Sequence, residues 1–198
     1  MKKIFYIVCL LAINAVNTFA QNEHAESAIS CQIGLSYGSD YMTEDFNYQL
    51  PTKVSGTNTP SIMFTWDYAI MSWMSIGGTF SYNNSKLEVT KGNGSGEKIN
   101  WNGDGYGVGS RVLVHFLGNS SDKIDVYAGA GLHMVAWSYE ADPDNYANTA
   151  AAYDATKLYI GLPLTLGGRY YFSENFGVTA EASTNKISRL NAGITLKF

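Results

Sequence analysis

The last stretch of the chain, residues 190–198, "LNAGITLKF", decides how the rest is read. Leu190, Ala192, Ile194, Leu196 and Phe198 alternate with Asn191, Gly193, Thr195 and Lys197. One apolar and one polar face at a period of two is the pattern of a half-buried β-strand. Chain ends are usually frayed and polar. Here the apolar face runs to the final residue, so some surface must take an aromatic at the very end.

The same period recurs throughout. It is seen in Ile29, Cys31, Ile33, Leu35 and Tyr37; in Ile62, Phe64, Trp66 and Tyr68; and in Met74, Ile76, Phe80 and Tyr82. It returns in Tyr106, Val108, Val112, Val114 and Phe116, less cleanly over residues 124–137, then in residues 158–172 and in Phe176, Val178, Ala180 and Ala182. With the terminal stretch this makes about eight strands, the size of the smallest membrane barrels.

A soluble sheet would turn its apolar face inward. Two features predict the reverse. The apolar face carries full-size residues, while the polar face is rich in Gly, Ser and Thr, which suit a narrow barrel interior. Aromatics also gather at strand ends: Tyr68, Trp73, Phe116, Tyr170, Phe172, Phe176 and Phe198 at one rim, and Tyr37, Tyr82, Trp101, Trp137 and Tyr139 towards the other. Such girdles mark the two membrane interfaces. Long polar segments (40–59, 84–100, 140–156) alternate with short ones (71–73, 117–123, 173–175), and 184–186 is also short. Long loops at one end and short turns at the other are typical of membrane barrels. The predicted fold is all-β: a single closed antiparallel up-and-down transmembrane β-barrel of about eight strands.

Composition agrees. Charged residues are 15% of the chain, against a usual ~25%, and aromatics are 14%. Lys2 and Lys3, an apolar run over residues 4–16, and the small residues Thr18 and Ala20 have the layout of a secretory signal peptide. Residues 1–20 are therefore expected to be removed, leaving 21–198 as one barrel domain. Removing Lys2 and Lys3 shifts the formal charge from −4 to −6, which disfavours nucleic acid as a partner. Cys9 leaves with the signal, so Cys31 is left without an intrachain partner and is read as a small strand residue.

In the signal, the alternation, "KIDVYAGAGL", "GGRYYF" and the terminal "LNAGITLKF", residues 29–198 resemble the small outer-membrane barrels of the OmpA/OmpX type. The resemblance implies the outer membrane of a Gram-negative bacterium, surrounded by lipid and lipopolysaccharide. It also implies that Phe198 is the signal read by the outer-membrane assembly machinery. No periplasmic domain is expected after the barrel, and a monomer is expected.

The polar face carries Asp67, Arg111, His115, Asp125, Arg169, Glu181, Arg189 and Lys197. A three-residue turn at 184–186 would set Glu181 opposite Arg189, and the turn at 173–175 would set Arg169 opposite Thr179, diagonal to Glu181. One carboxylate between two guanidiniums is expected to plug the lumen. His115 is expected to face Asp125, but spacing supplies no nucleophile beside them. "GDGYGVG" (103–109) is not a dinucleotide fingerprint, "KGNGSGEK" (91–98) lacks the phosphate-loop Lys-Ser/Thr, and "EADPDN" (140–145) lacks EF-hand spacing. No cofactor, metal or enzymatic activity is expected. The expected role is structural, or surface interaction through the long loops. A minor porin is the first alternative and a lipid-modifying enzyme the second.

Overall fold

The computed structural model describes residues 26–36, 53–90, 98–117, 121, 123–141 and 155–198. These residues form β1 (Ser27–Ser36), β2 (Lys53–Asn58), β3 (Ser61–Met71), β4 (Met74–Thr90), β5 (Lys98–His115), β6 (Ile124–Ala141), β7 (Ala155–Gly161), β8 (Leu164–Tyr171), β9 (Phe176–Ser183) and β10 (Ser188–Lys197). All pairings are antiparallel, and the ladders run from β1 through β3, β4, β5, β6, β8, β9 and β10 back to β1, closing a ring. β2 pairs with β4 above β3, and β7 pairs with β6 above β8. Each is the outer part of a wall strand interrupted at a proline, Pro60 and Pro163. Proline has no N–H to give to a ladder, so a strand breaks where it sits. Ten segments thus make an eight-stranded closed barrel.

Closure reaches the last residue. The Phe198 N–H donates to the Ser27 carbonyl at 2.9 Å, and the Ser27 N–H donates to the Phe198 carbonyl at 2.8 Å. In a membrane every backbone polar group needs a partner within the protein, and a closed barrel provides one.

The two faces are those of a membrane barrel. On β5, Val112 is 46% exposed and its neighbour Arg111 only 5%. Ile76, Phe80, Val108, Leu132, Leu164, Leu166, Val178 and Ile194 all point outward, while Gln32, Thr65, Ser75, Ser81, Thr179, Asn191 and Thr195 are buried inside. At the turn end, Trp73, Phe116, Tyr170, Phe172, Phe176 and Phe198 are exposed and form one aromatic rim. No helix among the described residues is long and apolar enough to cross a membrane, which bears only on helices.

The loop-end girdle is corrected by the structure. Trp101, Trp137 and Tyr139 are buried, not outward, and the Trp137 and Tyr139 rings stack at 6.2 Å. Trp137 lies opposite Gly105 and Tyr139 opposite Gly103 in the β5–β6 ladder. A Cβ at Gly105 would sit 2.7 Å from the Trp137 ring, so the alternating glycines of β5 make room for inward aromatics. Tyr82 and Tyr106, with ring centroids 5.1 Å apart, hold the outward side at that height. Tyr37 lies outside the described residues.

The strands also run further than expected, taking up parts of all three segments read as long loops. Past the apolar band the ladder is carried by polar pairs. Tyr82 Oη and Asn84 Nδ2 donate to Asp104 at 2.7 and 3.0 Å, and Ser85 Oγ donates to Asn58 Oδ1 at 2.9 Å. Outside lipid a strand does not need apolar alternation, so period-two reading ends these strands too early. The signal peptide and most of the three loops fall outside the described residues.

Candidate functional site

Alternation on β3, β5, β6, β8 and β9 aims Asp67, Arg111, Asp125, Tyr127, Arg169 and Glu181 into the lumen, with His115 at the turn end of β5. They form one continuous network. Arg111 donates Nε and Nη2 to Asp67 at 2.7 and 2.5 Å, and Nη1 to both oxygens of Glu181 at 3.0 and 3.2 Å. Arg169 donates Nη2 to the same Asp67 oxygen and Nη1 to Asp125 at 3.2 Å. Tyr127 Oη donates to Glu181 at 2.6 Å, and the Arg169 guanidinium lies 4.6 Å from the centroid of the Tyr127 ring. Asp125 meets His115 Nδ1 at 2.7 Å.

Three carboxylates and two guanidiniums therefore span the lumen, with His115 at the edge. The side chains of Arg111, Asp67, Glu181 and Arg169 are 1–4% exposed. Charges this dry persist only if each is paired and hydrogen-bonded. A bidentate Arg111–Asp67 pair and the single-nitrogen bonds of Arg111 to Glu181 and of Arg169 to Asp67 and Asp125 supply that here. Beside the layer, a cleft lined in part by Arg111, His133 and Glu181 has a volume of about 20 Å³, room for roughly one water. Among the described residues no group of three or more His, Cys, Asp or Glu side chains is placed to hold a metal ion.

Five of the six residues proposed for the lumen cluster, Arg111, His115, Asp125, Arg169 and Glu181, meet in this network. Arg189 does not. Asn191, not Arg189, lies opposite Glu181, and Arg189 is exposed. The β9–β10 turn is longer than expected, because Asn185 Oδ1 accepts the N–H groups of Ile187 and Ser188 at 2.9 and 2.7 Å. The β1–β10 ladder then steps from Leu35–Leu190 to Ser36–Ser188, and the extra residue, Arg189, bulges outward. Arg169 does face Thr179, but its bonds go to Asp67 and Asp125, and Arg111 is the cation on Glu181.

Two participants were not picked out from sequence. Tyr127 shares a face with Asp125, which its spacing of two would have revealed. Ser75 Oγ lies 2.9 Å from His115 Nε2. Ser75 is paired with Leu113 in the β4–β5 ladder, a register no short turn fixes.

The outer membrane protein β-barrel domain model matches residues 6–197. OprG of Pseudomonas aeruginosa superposes with a TM-score of 0.62 at 12% identity, covering 88% of this chain and 96% of that one. The N-terminal β-barrel domain of Pseudomonas aeruginosa OprF superposes with a TM-score of 0.50 at 14% identity, covering 90% of this chain and 100% of that one. At these identities the likeness concerns the fold. No curated protein matches the sequence significantly.

Proposed function

Because the chain belongs to the outer membrane protein β-barrel domain family and resides in the Gram-negative outer membrane, we propose that it is a non-conducting barrel. In this reading it serves as a structural element, or as a membrane-held frame that presents its loops for surface interaction. The observation that carries this is the charged layer. Asp67, Arg111, Arg169 and Glu181 fill the lumen from four different strands and bind one another across it. An eight-stranded wall leaves an interior just wide enough for side chains. Reconstituted into planar bilayers, the protein should give no steady conductance above the lipid baseline. Discrete channel openings would favour the porin reading instead.

Phe198 is proposed as the residue recognised during assembly. Its backbone closes the barrel on Ser27, while the residue is 38% exposed on the outward rim. Phe198→Ala keeps the backbone and removes the ring. It should lower the amount of folded protein in cell outer membranes several-fold, while refolding into detergent micelles stays near normal. Equal yield in cells would remove the assembly role.

A further inference from the structure

At the turn end of the lumen, three neighbouring strands bring together Ser75 of β4, His115 of β5 and Asp125 of β6. Ser75 Oγ is 2.9 Å from His115 Nε2, and His115 Nδ1 is 2.7 Å from Asp125 Oδ1. The ladders explain the placement: Ser75 pairs with Leu113 and His115 pairs with Tyr127, so Ser75 and Asp125 both lie diagonal to His115, one on each side. We propose that Ser75 is a nucleophilic catalytic residue, with His115 as its general base and Asp125 as the positioning residue, acting on small carboxylic esters that enter from the periplasmic mouth.

The order of groups is that of a nucleophile, a base within hydrogen-bond reach, and an acid fixing the base. Asp125 accepts from Nδ1–H, which leaves the Nε2 lone pair facing the serine hydroxyl. Short turns lie on the periplasmic side in such barrels, and the His115 and Asp125 side chains are 13% and 21% exposed there. Ser75 is 2% exposed and lies two residues nearer the turn end than Gly77, which pairs with Arg111 of the charged layer. With so little of Ser75 exposed, the proposed substrate carries a short acyl group. Arg169 Nη1 donates to the other oxygen of Asp125 at 3.2 Å, which holds the carboxylate in place against His115.

The chemistry is closed without another reactant besides water. Ser75 Oγ bonds to the ester carbonyl carbon as its proton passes to His115 Nε2. The ester C–O bond then breaks, and the alcohol leaves with that proton. Water, deprotonated by His115, attacks the acyl-serine, and the carboxylic acid departs as the proton returns to Ser75.

The test is covalent labelling of the folded full-length barrel by a small alkyl fluorophosphonate, read by peptide mass spectrometry. The P–O bond forms on Ser75, fluoride leaves, and His115 takes the proton. A heat-shift gel first establishes that each variant is folded. Label is expected on Ser75, at a rate that rises with pH. In His115→Gln the rate should fall by ~10²–10⁴ and lose that pH dependence; in Asp125→Asn it should fall as well. 4-Nitrophenyl acetate should be hydrolysed and 4-nitrophenyl palmitate not. Absence of label on Ser75 in the wild-type protein, or an equal rate in folded His115→Gln, overturns the proposal. Neither result depends on whether the barrel conducts.

Discussion

Arg111→Met should destabilise the barrel by about 3–5 kcal/mol, the usual cost of removing one partner from a buried ion pair. Among the described residues Arg111 alone joins Asp67 to Glu181, through four hydrogen bonds of 2.5–3.2 Å. Without it Asp67 keeps Arg169, and among the described residues Glu181 keeps only the Tyr127 hydroxyl. A buried carboxylate held by one neutral donor is poorly compensated. Adding Glu181→Gln should therefore recover part of the loss, since the stranded charge is removed with its partner. Urea unfolding in lipid vesicles measures both variants. A double-mutant cycle on Arg111 and Glu181 should give coupling of at least ~1 kcal/mol, whereas the Glu181–Arg189 cycle should fall within ~0.5 kcal/mol of zero. Strong Arg189 coupling with none from Arg111 would mean that the assigned β9–β10 register and the cross-lumen bonds are wrong.

These two cycles mark where sequence reading stops. Alternation identifies the strands and their faces, because Val112 beside Arg111 repeats a pattern set by the pleat. It also brings Arg169 opposite Thr179, since the turn at 173–175 is short and regular. The β9–β10 register is different. It depends on Asn185 capping two N–H groups and on one extra residue at Arg189, and a bulge leaves the period-two pattern nearly intact on either side. The Arg111–Glu181 bond is further from view, because β5 and β9 are not adjacent in the ring. Neighbour spacing says nothing about which side chains meet across a lumen.

The inward turn of Trp137 follows similar logic. An aromatic near a strand end reads as an interface anchor only if the strand ends there. β6 continues to Ala141, and the phase set by Asp125 and Tyr127 carries on through His133 and Val135 to Trp137. The complement was visible in Gly105 and Gly107, whose missing side chains leave the space that Trp137 and His133 occupy. Glycine on the facing strand is thus a better guide to which way an aromatic points than its distance from a loop.

Val112→Arg should cost about 2–4 kcal/mol when the barrel is folded into bilayers, the range for arginine at the lipid midplane of such barrels. Val112 is 46% exposed on the outward face, flanked by Ile76 of β4 and Ala130 of β6. It lies four residues from Phe116 of the periplasmic aromatic rim. At ~3.4 Å per residue and a tilt of about 40°, that is roughly 10 Å into the hydrocarbon. The nearby Val108, also outward and 58% exposed, sits about twice as far along, close to the outer interface. Val108→Arg should accordingly cost only ~0–1 kcal/mol, because a guanidinium there reaches water or headgroups. Thr79→Ser, on the lumen face opposite Gly109, changes one methyl group and leaves the lipid face untouched, so it should be mild. Unfolding in bilayers should rank Val112→Arg well above the other two. If Val108→Arg costs as much as Val112→Arg, the apolar band is centred nearer the loop end than the rim of Trp73, Phe116 and Phe172 implies. If Val112→Arg is tolerated like Thr79→Ser, that face meets water rather than lipid, and the inward charged layer must be explained without a membrane around it.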